Sequence, residues 1–147
     1  MAKEADLASN LMRAARLCRH QRSLALAQLG LFPGQDDLLK SLAESDGQSM
    51  GSLADNLGVR PPTVTKMVSR MAAQGLLRRQ NSAHDNRQNH VFLTDSGAAL
   101  LGEVDKRWRH CAAAAFHGLT DKDEKRLAKI LSKILGELDP PSAKRQR

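Results

Sequence analysis

Residues 48–97 read QSMGSLADNLGVRPPTVTKMVSRMAAQGLLRRQNSAHDNRQNHVFLTDSG, and the architecture follows from the pattern in this segment. Ser49 is a good helix N-cap, and apolar residues recur after it at steps i, i+3, i+4 and i+7 until Gly58. Only residues 59–61 separate this helix from a second one, whose first turn accommodates Pro62. We therefore expect two short helices joined by a tight turn, which is the helix-turn-helix plan.

Two strand-like segments, residues 76–80 and 89–94, follow the second of these helices. The loop between them, residues 81–88, is polar and has no apolar residue except Ala83. This arrangement is typical of a β-hairpin with a long tip. The expected fold is therefore mainly α with a small β-hairpin wing, a winged helix-turn-helix.

The segment before residue 48 predicts two helices. Residues 5–29 contain no Pro or Gly and carry apolar residues at helical steps, so we expect a long amphipathic helix that Gly30 ends. Pro33 opens a second helix, which continues to about Ser45. The apolar side of this second helix consists of Leu38, Leu39 and Leu42.

Two further helices are expected after the wing. Thr94 can cap a long helix that ends near Phe116, and Thr120 with Asp123 resembles a capping box that opens a last helix before Pro140. The residues that the first of these helices is expected to bury are Leu100, Leu101, Val104, Trp108, Cys111 and Ala115. The apolar stripe of the last helix is Leu127, Ile130, Leu131, Ile134, Leu135 and Leu138.

Positive charge is concentrated around the second helix of the pair and the wing. The chain carries a net charge of +7, and residues 60–90 alone contribute +5. A polyanion attracts such a patch by counterion release, whereas a protein that is merely soluble intersperses its signs. The basic residues of this window are Arg60, Lys66, Arg70, Arg78, Arg79 and Arg87, against one acidic residue, Asp85.

Composition excludes several other classes. A chain of 147 residues is about one domain in size and has no room for a separate catalytic domain. Cys18 and Cys111 form no CxxC pair, so neither a disulfide framework nor a zinc ribbon is indicated. With no Tyr and few other aromatic residues, an RNA-type stacking platform is not expected. No apolar run approaches the ~20 residues of a membrane span, so we expect a cytoplasmic protein without a membrane partner.

The outer face of the helix after Pro62 has the residue types that read duplex DNA. Rotation by 100° per residue places Pro62, Lys66, Ser69, Arg70 and Ala73 opposite the apolar stripe. Lys and Arg there can donate to guanine or phosphate, and the methyl groups of the flanking residues Thr63 and Thr65 can meet thymine. An ordinary solvated face is the alternative. In the wing tip, Asp85 can orient Arg87 for a minor groove.

Six short motifs in this order and spacing resemble the MarR family of bacterial transcription regulators, and the resemblance covers nearly the whole chain. It implies an obligate homodimer in which helices from both chain ends interlock and two winged modules bind pseudo-palindromic promoter DNA, with recognition helices roughly 34 Å apart. The motifs are Ser52-Leu53-Ala54, Leu57-Gly58-Val59, Pro62-Thr63-Val64-Thr65, Gly75-Leu76-Leu77, Asp85-Asn86-Arg87 and Leu93-Thr94-Asp95-Ser96-Gly97.

The resemblance also implies the domain organisation: an N-terminal dimerisation helix over residues 1–32, a winged helix-turn-helix module over 33–97, C-terminal dimerisation helices over 98–140 and a disordered basic tail over 141–147. The apolar stripes of the first and last helices, which a small module cannot cover alone, point independently to two-fold pairing.

The DNA-binding residues follow position by position. Arg60 departs from the family pattern, because many relatives have a Ser or Thr there that can cap the helix; for Arg60 we expect a phosphate contact instead. The residues that match the reading helix are Thr63, Thr65, Lys66, Ser69 and Arg70, and those that match the wing are Asp85, Asn86 and Arg87.

We expect a repressor that a small molecule relieves, and no enzyme, cofactor or metal site. Family members often bind a small aromatic or phenolic effector between the winged module and the dimer helices, which makes Trp108 a candidate ligand contact, with core packing as the alternative. A thiol-based redox switch at Cys18 and a non-specific architectural DNA protein are the competing hypotheses. His110 and His117 are seven residues apart with Ala114 between them, which does not suit a metal site.

Overall fold

The structure is a computed structural model and describes residues 2–81 and 89–138. Within these ranges it contains six helices and three short strands. The elements in chain order are α1 (Ala2–Ala27), α2 (Gln35–Glu44), β1 (Gln48–Ser49), α3 (Met50–Leu57), α4 (Pro61–Ala73), β2 (Leu77–Asn81), β3 (Asn89–Leu93), α5 (Asp95–Phe116) and α6 (Asp121–Leu138). The expected fold, mainly α with a small β wing, is confirmed.

The first helix of the helix-turn-helix pair, α3, begins at the N-cap and ends at the glycine that the sequence predicts. The Ser49 hydroxyl accepts the backbone N–H of Ser52 at 3.1 Å, and α3 ends at Gly58 with φ of 63°. The next helix, α4, begins at Pro61, one residue earlier than expected. In contrast, α2 begins at Gln35, two residues later than expected, because Gly34 precedes it in the left-handed region with φ of 95°.

The sheet contains one strand more than the expected hairpin. Its order is β1-β3-β2 with all pairs antiparallel, and the additional strand β1 pairs through Gln48 with Val91 and through Ser49 with His90. A strand is predicted from the alternation of apolar and polar residues, and two residues are too few to show that alternation. This strand exists because of a long-range pairing, so local pattern could not reveal it.

Gln48 connects β1 to the helices on both sides of it. Its side-chain amide is buried and donates to the backbone carbonyls of Ser41 at 2.8 Å and Ser45 at 2.6 Å. Its Oε1 accepts from the side chain of Asn56 at 2.7 Å. A buried amide is stable only with its partners in place, so this network fixes the end of α2 against α3.

The core lies beneath the helix-turn-helix pair. The largest fully buried side chains come from α2, α3, α4 and β3, which confirms the apolar sides expected for α2 and for the pair. Polar outer faces and apolar inner faces are therefore separated on α4, as the 3.6-residue period requires. These core side chains are Leu38, Leu39, Leu42, Leu53, Val64, Val68, Met71 and Val91.

The expected burial along α5 is largely wrong for the single chain. Of the six residues expected to be buried, only Val104 is buried, while Leu100 and Leu101 are partly buried against the core. Trp108 is 40% exposed, Cys111 is half-buried and Ala115 is exposed. The apolar residues do follow the helical period, but an apolar stripe predicts only that a face is covered and not which surface covers it.

The chain divides into two compact units, Met1–Cys111 and Ala112–Arg147. The first contains the core, the sheet and α1 to α4. In the second, α6 begins with the expected capping box: Asp123 accepts the backbone N–H of Thr120 at 3.1 Å, and the Thr120 hydroxyl accepts that of Asp123 at 3.3 Å. No described residue of α6 is buried. Within the described ranges, no helix is long and apolar enough to cross a membrane.

Candidate nucleic-acid interface

Arg60 occupies the N-cap of α4 in an extended conformation and makes no side-chain capping bond. The following residues, Pro61 and Pro62, have no backbone N–H, so the first helix positions leave few donors to satisfy. The first available N–H, that of Thr63, donates to the Arg60 carbonyl at 3.0 Å. The helix therefore needs no Ser or Thr cap, and the Arg60 side chain is exposed at its positive end.

The structure brings the expected reading residues of α4 together on one exposed face. Val64, Val68 and Met71 on the inner face are buried, which fixes the rotation of the helix about its axis. The Thr65 hydroxyl donates to the Pro61 carbonyl at 3.0 Å, so its methyl group is the part of the side chain left for an outside contact. The exposed residues of the outer face are Thr63, Thr65, Lys66, Ser69 and Arg70.

Arg79 on β2 joins this face, although the sequence did not predict it as a DNA contact. Its guanidinium donates to the Ser69 hydroxyl at 2.5 Å. Side chains alternate along a strand, so Arg79 lies on the same side of the sheet as Leu77 and its cross-strand partner Val91, both of which are buried. Because Leu77 and Arg79 are two residues apart in a predicted strand, the sequence indicated that they share one side of the sheet. Only the tertiary structure shows that this side reaches α4 at Arg79.

Arg78 lies on the opposite side of the sheet. Its guanidinium sits 4.3 Å from the centroid of the Phe92 ring and donates to Gln80 at 2.9 Å. Phe92 in turn covers Gly47, where a Cβ would come within 2.8 Å of the ring. The two neighbouring arginines of β2 therefore have different surroundings, and only Arg79 adds its charge to the α4 face.

On the other flank of α4, the segment before α2 contributes an aromatic ring. The guanidinium of Arg70 lies 5.8 Å from the centroid of the Phe32 ring. A cavity of about 260 Å³ separates this segment from α4 and is lined on the α4 side by Pro62, Thr63, Lys66, Met67 and Arg70. Residues from outside the helix therefore contact both flanks of its outer face.

The exit of α4 is fixed to the start of α5. The Thr94 hydroxyl donates to the Gly75 carbonyl at 2.7 Å and accepts the N–H of Gly97 at 3.1 Å, and the Thr94 N–H donates to the Leu76 carbonyl at 3.2 Å. A Cβ on Gly97 would come within 2.2 Å of the Leu76 carbonyl oxygen. These contacts explain the Gly75-Leu76 and Thr94-to-Gly97 motifs physically: they set where α4 ends.

The wing is described as far as Asn81 and again from Asn89. The expected wing residues Asp85, Asn86 and Arg87 lie outside the described residues. The two strands pair from Leu77 with Leu93 to Asn81 with Asn89.

An ion-pair cluster joins α1 to α2. Arg22 contacts Asp36, which is buried, and reaches Asp37 at 2.7 Å. Burial works to lower the pKa of Arg22, but hydrogen bonds and the charges of the two carboxylates raise it on balance, so the guanidinium stays charged. Asp36 also accepts the N–H of Gly34 at 3.1 Å, ahead of α2. This cluster holds α1 against the winged module.

Trp108 lines a cavity of about 210 Å³ within the first unit. The cavity is bounded by α1, α2 and α5, and its wall carries three cations and three carboxylates beside the Trp108 ring: Arg22, Lys40 and Arg107, and Asp36, Asp37 and Asp105. An apolar ring beside cations can accommodate a small aromatic or phenolic molecule.

The thiols of Cys18 and Cys111 are free and half-buried, and no cluster of three metal-binding side chains occurs among the described residues.

Comparison with known proteins agrees with this geometry. Residues 33–88 match the sequence model of the MarR family. The structure resembles YusO from Bacillus subtilis, with a TM-score of 0.79 at 23% identity over 90% of this chain and 94% of that chain. It also resembles a MarR family protein from Bacillus stearothermophilus, with a TM-score of 0.80 at 22% identity over 93% of this chain and 96% of that one.

A third similar structure is a MepR mutant from Staphylococcus aureus bound to an oligodeoxyribonucleotide. Its TM-score is 0.66 at 23% identity, over 88% of this chain and 96% of that one. The expected resemblance to the MarR family is confirmed: the chain has the fold of MarR-family transcription regulators, and its segment from residue 33 to 88 matches the family's sequence model.

Proposed function

We propose that this protein is a homodimeric, sequence-specific transcription regulator that binds pseudo-palindromic promoter DNA in the cytoplasm and acts as a repressor. The observation that carries the proposal is the exposed face of α4. The inner side of α4 is buried in the core, while its outer side exposes Lys66, Ser69 and Arg70, and Arg79 is hydrogen-bonded to Ser69 beside them. Short polar side chains between cations allow a helix to approach base edges in a major groove.

Each expected contact has a distinct role. Lys66 and Arg70 donate to guanine or to phosphate, and the methyl groups of Thr63 and Thr65 pack against thymine. Arg60, at the start of the helix, neutralises a phosphate. In the wing, we propose that Asp85, Asn86 and Arg87 contact DNA, with Asp85 orienting Arg87 for the adjacent minor groove. The oligodeoxyribonucleotide bound to the similar MepR structure supports DNA binding by this fold.

Exposed apolar side chains support the homodimer. In the first unit they lie along α1, and in the second unit they lie on the end of α5 and along α6. We propose that residues 1–32 and 98–140 pair with a second copy and that residues 33–97 form the reading module. Two-fold pairing then buries side chains that are exposed in the single chain. They include Leu7, Met12, Leu17 and Leu24 in α1, and Phe116, Ile130, Leu135 and Leu138 in the second unit.

We further propose that a small aromatic or phenolic effector binds at the cavity beside Trp108 and relieves repression. The cavity lies where α1 meets the module, next to the ion pairs of Arg22. A ligand that prefers one arrangement of α1 and the winged module shifts the dimer toward a spacing of the two modules that no longer fits DNA.

The proposal is tested by DNA binding of a Lys66→Ala, Arg87→Ala double variant. Binding is measured by fluorescence anisotropy on a duplex selected for tight binding. This variant should lose affinity, and the slope of log K against log salt concentration should fall by about 2, one for each cation removed from the interface. A Lys125→Ala, Lys129→Ala double variant removes the same charge from α6 and should retain the slope. Unchanged binding by the first variant would remove these residues from the interface.

A further inference from the structure

Phe32 is an exposed aromatic residue on a fixed backbone. Its side chain is 62% exposed. Its backbone N–H donates to Gln35 Oε1 at 3.0 Å, and its carbonyl accepts the N–H of Gln35 at 3.1 Å. Gln35 itself is buried. A single exposed apolar residue is ordinary on a protein surface, but these two hydrogen bonds, one to the side chain and one from the backbone of the buried Gln35, hold the backbone of Phe32 in place.

The surroundings of the ring are cationic on one side and apolar on the other. The groove of about 260 Å³ between this segment and α4 is lined by Phe32, Pro33 and Met67, together with Lys66 and Arg70. None of the described residues that line it is acidic. The ring also lies under the guanidinium of Arg70, which leaves the N–H groups at the edge of that guanidinium available to an acceptor.

These features match the alternating chemistry of a nucleic-acid strand. A deoxyribose is an apolar surface of about the size of one ring face, and the phosphate next to it is an anion that accepts several hydrogen bonds. In the groove, the Phe32 ring can pack against the sugar, and Lys66 and Arg70 can bind the phosphate. It is also continuous with the reading face, because Lys66 and Arg70 belong to both.

We propose that this groove binds one sugar–phosphate unit of the strand that borders the major groove read by α4. The deoxyribose packs on Phe32, and the phosphate accepts from Arg70 and Lys66. The inference rests on the proposed function and adds a contact from outside the helix-turn-helix pair. Since every nucleotide has the same sugar and phosphate, this contact sets affinity and register without reading sequence.

The test compares Phe32→Ala, Phe32→Leu and Arg70→Ala with the wild type on a selected duplex and a scrambled duplex. Phe32→Ala should weaken binding to both duplexes by the same factor, at least about fivefold, because it removes apolar contact area and no charge. Its salt dependence should equal that of the wild type. Arg70→Ala should lower the slope by about 1. Phe32→Leu, which keeps apolar area, should lose less affinity than Phe32→Ala.

Three outcomes would overturn the inference while leaving the proposed function intact. The first is Phe32→Ala binding both duplexes as the wild type does. The second is a loss confined to the selected duplex, which would make Phe32 a reader of sequence. The third is a changed sedimentation coefficient without DNA, which would show that a second copy covers the ring. A thermal melt of each variant separates these results from misfolding. If the wild type itself shows no preference between the duplexes, the proposed function fails instead.

Discussion

At the scale of single residues, the contact between Ser69 and Arg79 changes the expected role of Ser69. The Ser69 hydroxyl accepts a hydrogen bond from the Arg79 guanidinium on β2, so Ser69 positions a longer, charged side chain. A guanidinium fixed by a hydrogen bond loses less conformational entropy when it binds, because fewer rotamers remain to be ordered. We therefore assign the direct DNA contact to Arg79 and its positioning to Ser69.

This assignment predicts coupled losses in a double-mutant cycle. Arg79→Ala should weaken binding to the selected duplex by about tenfold or more, the usual value of a good Arg contact. Ser69→Ala should cost less, since the charge stays, and the double variant should be no worse than Arg79→Ala alone. The measurement is equilibrium anisotropy at constant salt.

A matched control comes from the next residue. Arg78→Ala removes the same charge from the opposite side of the sheet, where Arg78 lies on Phe92, and should reduce affinity much less. If the affinity losses of Ser69→Ala and Arg79→Ala add in the double variant, Ser69 does not position Arg79. If Arg78→Ala and Arg79→Ala lose the same affinity, the effect comes from net charge and not from a specific contact of Arg79.

At the scale of elements, Gly97 sets the distance between α5 and the exit of α4. Gly97→Ala should destabilise the fold by about 1–3 kcal/mol, because the new methyl group overpacks against the Leu76 carbonyl. Gly102→Ala on the same helix meets no atom within 4 Å and should instead stabilise by about 0.5–1 kcal/mol through helix propensity. Urea unfolding at one protein concentration measures both. Equal effects of the two substitutions would mean that α5 does not approach α4 as described.

The capping box of α6 predicts a pH dependence. Hydrogen bonds from the Thr120 hydroxyl and N–H lower the pKa of Asp123 below its ordinary value. A lowered pKa means that the ionised carboxylate stabilises the folded helix start; this contribution is present above the unfolded pKa and is lost as pH falls through the folded one. NMR titration of the Asp123 carboxyl should therefore give a pKa below the ordinary range for Asp.

Two variants decide whether the box is the cause. In Thr120→Ala the pKa of Asp123 should return toward its ordinary value. Ser132→Ala removes another hydroxyl of α6, one that donates to the Ala128 carbonyl, and should leave the pKa of Asp123 unchanged. The explanation fails if Asp123 titrates at the same pH in the wild type and in Thr120→Ala.

Elements fixed by local contacts could be predicted from the sequence, and those fixed by long-range contacts could not. The helices could be predicted because Ser49, Gly58 and the Thr120 to Asp123 box act through neighbours within one turn. Strand β1 and the position of Arg79 could not, since each depends on a partner that is distant in sequence. The burial of α5 was overestimated for the same reason: its stripe predicts a covered face without identifying the cover.

At the scale of the whole molecule, the proposed dimer predicts that a charge in its interface separates the subunits. Leu135 is 62% exposed on α6 in the single chain. Leu135→Glu should weaken self-association by more than about tenfold, because a carboxylate would lose its hydration on pairing. Lys129→Glu introduces the same residue on the same helix outside the apolar stripe and should sediment as the wild type does. Identical sedimentation of the two variants would place the interface elsewhere.

In the proposed dimer, two copies of α4 read one duplex as a two-fold pair. Selection of binding sites from a random duplex library by the wild-type protein tests specificity and symmetry together. We expect enrichment of inverted repeats whose half-sites are centred about one helical turn, roughly 10 base pairs, apart. The protein should bind them at least about 1000-fold more tightly than scrambled DNA at physiological salt. A library that stays random, with binding that depends on salt alone, would contradict it.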